Sequence, residues 1–175
     1  MPPDSIHAPW RMEYIRSLHG PSDPASCFLC DAARATSDEE RRARLVVWTT
    51  EHSIVVINLF PYTNGHVLVA PKAHKPELEQ LTEDEANDLQ AQTTRCVRLL
   101  KRALSPQGFN IGINLGRCAG AGLPGHIHQH VVPRWAGDTN FITVVGEVRV
   151  VPQAVSQLYE ELMRADTEMR RKDGG

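Results

Sequence analysis

The sequence predicts an α+β fold, with one antiparallel sheet, one long central helix and a C-terminal helix. Three runs rich in β-branched residues, "RLVVWTTEHSIVVINLFPY", "NGHVLVAPKAH" and "GFNIGINLG", flank a single long stretch of helical spacing. A second helical stretch closes the chain. Strands, one long helix, then strands again is the α+β pattern. No internal repeat or low-complexity tract interrupts it.

Taken in order, residues 1–43 are rich in Pro, Ser, Asp and Arg without sustained periodicity. They read as an irregular lead-in that must lean on the body, 44–175, to be ordered, and "SDEERRARL" is its candidate short helix. The apolar run from Arg44 breaks at Glu51-His52, giving two strands, and the Asn64-Gly65 turn signal opens a third, an antiparallel meander. In "LTEDEANDLQAQTTRCVRLLKRAL", Thr82 and Glu85 stand at capping-box spacing, with acids in the first turn and bases in the last. Leu89, Val97, Leu100 and Leu104 recur there at helical intervals. A strand over "GFNIGINLG", a glycine-rich loop "GRCAGAGLPG" and a strand through "HIHQHVVPRW" follow. The helix in "PQAVSQLYEELMRADTEMRR" has Pro152 near its first position.

A chain of 175 residues with 41% hydrophobic and 23% charged content is the size of one globular domain. Its 19 basic and 21 acidic residues leave a net charge of −2, with no basic stripe or aromatic platform, which excludes long nucleic acid as a partner. The N-terminal "MPPDSIHAPWRMEYI" lacks a signal-peptide core, and no segment approaches the roughly 20 apolar residues that span a bilayer. The expectation is a soluble cytoplasmic protein without a membrane partner. Four cysteines are too few for a disulfide framework. Cys27 and Cys30, in "CFLC", have a spacing that in a reducing compartment favours metal over a bridge, while Cys96 and Cys118 read as packing residues.

His126, His128 and His130 occupy alternate positions of what reads as a buried strand, so their imidazoles share one face. Imidazole is a good nucleophile toward phosphorus, and the glycines of the preceding loop open backbone N–H groups to a phosphate. Together they point to phosphoryl or nucleotidyl chemistry.

The run His126-Ile127-His128-Gln129-His130-Val131-Val132 resembles the His-φ-His-φ-His-φ-φ signature of the histidine-triad (HIT) superfamily, φ being apolar. Gln129 departs from it, on the strand's other face. The resemblance continues through "INLFPYTNGHVLVAPKAH", "GFNIGINLG" and "VVPRWAGDTNF". With "APWRMEYI" and "NLGRCAGAG", it is nearest a bacterial branch related to diadenosine tetraphosphate phosphorylases and fragile-histidine-triad hydrolases.

The resemblance implies a HIT-type fold, a homodimer and the following roles. His128 is the nucleophile toward the α-phosphorus, with a backbone carbonyl on Nδ1 fixing its tautomer. His130 contacts the transferring phosphate and His66 lies beside it. Asn58 matches a ribose-contacting position and Asn114 a phosphate-contacting one, though each equally reads as a strand-end bond to backbone. Gly120 and Gly122 offer backbone to phosphate; Gly122 stands where several relatives carry Ser or Gln. Cys27, Cys30, His74 of "PKAH" and His126 match the ligands of a structural Zn²⁺ in zinc-containing members. The implied function is cleavage of a dinucleoside polyphosphate or nucleotide conjugate at the α-phosphate through a nucleotidyl-histidine. Water is the favoured acceptor because Gly122 offers no hydroxyl for a second anion and Arg117 and Arg134 read as rim residues. Two alternatives stand beside it: phosphorolysis by inorganic phosphate, and a non-catalytic nucleotide sensor.

Overall fold

The computed structural model describes residues 27–139, 145 and 153–173. The irregular lead-in expected over residues 1–26 and the helix-starting position of Pro152 lie outside them. Five strands, β1 (Val46–Thr49), β2 (Ser53–Ile57), β3 (Val67–Pro71), β4 (Gly108–Ile113) and β5 (Gln129–Arg134), form an antiparallel sheet in the order β1-β2-β3-β5-β4. The expected meander is β1 to β3. Both faces of β2 and β3 are covered, which is why "SIVVI" and "VLVAP" are almost continuously apolar rather than alternating.

The helices are α1 (Phe28–Ala33), α2 (Asp38–Ala43), α3 (Glu83–Leu104) and α4 (Val155–Asp173). Thr82 caps α3: its side chain accepts from the Glu85 N–H, and the Glu85 carboxylate accepts from the Thr82 N–H at 2.8 Å. Ser37 and Glu40 make the same reciprocal cap on α2, the short helix expected in "SDEERRARL". Leu89, Cys96, Leu99 and Leu100 of α3 and Leu158 and Leu162 of α4 bury Val47, Val55, Ile57, Val67, Val69 and Val131 on one face of the sheet. Cys27, Leu29, Cys30, Ala32 and Ala35 cover Val46, Ile54, Val56, Leu68 and Ala70 on the other.

Two expectations need correction. Cys96 is a packing residue, but Cys118 is exposed, because the glycine-rich loop winds into a one-turn 3-10 helix, Arg117–Ala119, that buries nothing. The histidine strand is also shorter than its sequence suggests. β5 begins at Gln129, so only His130 lies in the ladder, paired with Leu68, while His126 and His128 precede it. In that register Pro71 would oppose Ile127, and proline has no N–H to continue the ladder. The Ile127 N–H bonds instead to the Lys75 carbonyl at 2.7 Å.

One buried carboxylate fastens α4 to α3. Asp166, 3% exposed, accepts from Arg95 Nη2 at 2.5 Å and from Arg170 Nε at 2.7 Å. The Arg95 guanidinium lies 4.1 Å from the centroid of the Trp48 ring, and Trp48 Nε1–H donates to Gln92 at 2.9 Å. Among the described residues no helix is long and apolar enough to cross a membrane.

Removing Asp166 strands Arg95 in a half-buried site without its acceptor. Asp166→Ala is expected to lower the unfolding free energy by about 2 kcal/mol, as for a lost charged hydrogen bond. Denaturant titration beside Arg170→Ala, whose guanidinium is largely exposed, measures it; equal small losses in both would refute this role.

Candidate active site

Each histidine of the triad is held differently. His126 is fully buried, and its Nε2–H donates to the Pro71 carbonyl at 2.8 Å, leaving Nδ1 as a lone pair. His128, 5% exposed, donates Nδ1–H to the carbonyl of His126 at 2.8 Å, so its Nε2 carries the lone pair. Burial holds His128 below the ordinary imidazole range. The His130 ring stands edge-on to His128, with centroids 5.0 Å apart.

His66 enters through the turn between β2 and β3. Gly65 adopts φ +75°, and a Cβ there would collide with Leu104 Cδ1 and lie 3.2 Å from Pro133 Cγ. Only glycine both takes this conformation easily and clears these side chains. Thr63 Oγ1 donates to the Pro133 carbonyl at 2.7 Å and pins the turn to β5. His66 itself is fully buried. Its Nδ1 accepts from the Tyr62 backbone N–H at 3.1 Å, so its remaining proton lies on Nε2, 3.0 Å from His130 Nδ1. His130 therefore accepts through Nδ1 and keeps its own proton on Nε2. Burial first, then the neighbouring His128, pull His130 down to about 4, which preserves this neutral arrangement near pH 7.

The asparagines divide. Asn58 accepts from the Phe60 N–H at 3.0 Å and places its amide nitrogen 3.2 Å from His66 Nδ1, the strand-end alternative together with a contact to His66. Asn114 donates to the Gly120 carbonyl at 3.4 Å and stands 3.5 Å from His130 Nε2, beside the triad. The glycine-rich loop is less open than its composition suggests. The Gly120 N–H is spent on the Arg117 carbonyl at 3.0 Å and that of Ala121 on Gly116 at 3.3 Å, so Gly120 offers no open donor. Arg134 is clamped by Asp138, Nε to Oδ2 at 2.6 Å and Nη2 to Oδ1 at 2.9 Å, and reaches Asn110 at 2.6 Å. An open cleft of about 840 Å³ runs along β4 and β5 past Tyr62, Asn114, His130 and Trp135.

Tyr62 carries no signal in the sequence beyond its place four residues before His66, across the Asn-Gly turn. In the fold its ring lies over the His66 and His130 rings, at centroid distances of 4.7 and 5.7 Å.

Beneath the triad, Cys27, Cys30, His74 and His126 bring four ligand atoms within 4.8 Å of one another, a set able to hold a metal ion. Cys27 Sγ lies 3.2 Å from His126 Nδ1, and Cys30 Sγ 3.2 Å from His74 Nδ1. The bond from His126 Nε2–H to Pro71 is of the kind that orients a metal-binding imidazole.

Residues 39–137 match the HIT domain. The chain is 42% identical over 154 residues to the AP-4-A phosphorylase of Mycobacterium tuberculosis, covering 85% of this chain and 76% of that one. It is 32% identical over 126 residues to the bis(5'-adenosyl)-triphosphatase of Dictyostelium discoideum, covering 71% and 83%. A Zn-bound histidine triad family protein of Mycobacterium smegmatis superposes with a TM-score of 0.67 at 27% identity, over 86% of this chain and 99% of that one. With the triad, the sheet and these likenesses in agreement, the chain belongs to the HIT domain family.

Proposed function

We propose that this protein is an enzyme that cleaves a dinucleoside polyphosphate, or a nucleotide conjugate, at the α-phosphate through a covalent nucleotidyl-His128. The observation that carries this is the 2.8 Å bond from His128 Nδ1–H to the His126 carbonyl, which leaves a buried, neutral Nε2 lone pair. Nε2 attacks the α-phosphorus, the bond to the bridging oxygen breaks, and its electron pair departs with the remaining phosphate chain. His130 Nε2–H donates to the oxygens of the transferring group, and the Asn114 amide stands beside it. An acceptor oxygen then attacks, the P–N bond breaks, and its electron pair returns to Nε2. A sensor that only bound nucleotide would need no imidazole held in the nucleophilic tautomer.

Water is the acceptor this geometry supports, because Arg134 is neutralised and held by Asp138 and no hydroxyl stands at Gly122. Inorganic phosphate is the second reading, favoured by likeness to an enzyme named as a phosphorylase. His128→Ala is expected to cost several powers of ten in turnover while nucleotide still binds. Turnover of a dinucleoside tetraphosphate in labelled water should place label in the nucleoside monophosphate. Strict dependence on added phosphate, with nucleoside diphosphate as product, would establish phosphorolysis instead. Near-parental turnover by His128→Ala would refute the nucleophile.

The same reading gives Cys27, Cys30, His74 and His126 a structural Zn²⁺, since two sulfurs and two nitrogens without an open position are a donor set zinc favours. A cytoplasmic setting would keep both thiols reduced and able to bind it. The ion would tie α1 to His126 and supply no step of the reaction. Elemental analysis of protein prepared without chelator should find about one zinc per chain, and its removal should speed hydrogen exchange first in α1. Metal-free protein with Cys27 bonded to Cys30 would refute the assignment.

The homodimer of this reading has a physical basis in β4, an edge strand with Asn110, Ile111 and Gly112 exposed, well suited to pairing with a second copy. Light scattering should return twice the mass of the chain; a monomer at all concentrations would refute it.

A further inference from the structure

We infer that Tyr62 is a positioning residue for His130: its ring, laid over the His66–His130 pair, shields that pair from water and keeps His130 a donor through Nε2. Tyr62 acts on the pair twice. Its backbone N–H fixes the proton of His66 on Nε2 by donating to Nδ1 at 3.1 Å, and its ring lies nearly parallel to that of His130, at 26°. Tyr62 is 43% exposed, so the ring stands between the pair and solvent rather than inside the core.

Among the described residues, the groups facing His130 are His128 on its own segment, His66 just before β3, Tyr62 from the turn and Asn114 just after β4. None is a carboxylate, so none would stabilise an imidazolium. A cationic His130 would also carry a proton on Nδ1, where it meets the Nε2–H of His66 at 3.0 Å, donor against donor. Protonation must therefore break the pair and swing His130 out of register with a bound phosphate. His130 already lines the open cleft; without the ring, water also reaches its contact with the fully buried His66, the cation becomes easier to form and the pair opens at a higher pH. The apolar face of the ring does this, not its hydroxyl.

The inference rests on the reading of His130 as the donor that faces phosphate. Its test is an NMR titration of the His130 ring nitrogens in nucleotide-free protein, for the parent, Tyr62→Phe and Tyr62→Ala. Parent and Tyr62→Phe should hold the neutral Nε2–H form into acid, with a midpoint near about 4. Tyr62→Ala should titrate about one pH unit or more higher, toward the ordinary imidazole value. Its kcat on a dinucleoside tetraphosphate should fall at pH 6 and recover toward pH 8, the acid limb moving with the titration. A purely structural role would lower the melting temperature without moving either midpoint. Tyr62→Ala titrating with the parent, or Tyr62→Phe titrating with Tyr62→Ala, would overturn the inference. Absence of turnover in the parent would refute the reading of the site, while the titration would still decide the role of Tyr62.

Discussion

The hydrogen bond from the His128 ring to the carbonyl of His126 closes within three consecutive residues, so it is only as exact as the backbone that bears the acceptor. That backbone is tied down on several sides. The His126 ring is engaged at both nitrogens, by Pro71 and by the cysteine sulfurs, and the next N–H, of Ile127, is taken by Lys75. Lys75 in turn places its ammonium 2.6 Å from Glu85, the carboxylate that also caps α3, and this pair holds Glu85 below the ordinary carboxylate range. The helix cap, the end of β3 and the cysteine pair thus all converge on one carbonyl oxygen.

This convergence explains the unequal faces of the sheet. On the α3 side, aliphatic side chains fill the space and nothing there is asked to react. On the other side, the space next to Leu68 and Ala70 is shared between a small apolar cluster and the cysteine and histidine side chains. β3 serves both: alternate residues feed the core, while His66 and the Pro71 carbonyl at its two ends hold His130 and His126. A strand paired on both edges is the stiffest support the fold offers for groups that must keep their separation to a few tenths of an ångström.

Features governed by local rules were legible in the sequence. The Thr82–Glu85 cap, the Asn-Gly turn and the alternation of the histidines each follow from a few neighbouring residues. Of the four residues able to hold a metal, the Cys27–Cys30 pair was legible from its spacing, but the full set only through family resemblance, because its members lie up to 99 positions apart and meet through tertiary packing. What could not be read depends on partners distant in the chain. The exposure of Cys118 and the spent N–H of Gly120 follow from a 3-10 turn that composition does not specify. The late start of β5 follows from a proline on another strand. Tyr62 carries no such signal, because an aromatic residue near a turn looks the same in sequence whether it covers a pair of histidines or only solvent.

The missing side chain at Gly65 makes α3 a measuring rod for the active site. The turn that delivers His66 rests against Leu104, the last residue of that helix, and against Leu100 one turn earlier. Inserting a single residue in the final turns would rotate the Leu104 position by about 100° and raise it about 1.5 Å along the axis. The seat beneath the turn would be lost, and with it the spacing of His66 from His130 on the opposite face of the sheet. Helix length is therefore a dimension of the catalytic apparatus, and insertions or deletions near Leu104 would be selected against as strictly as changes to the histidines themselves.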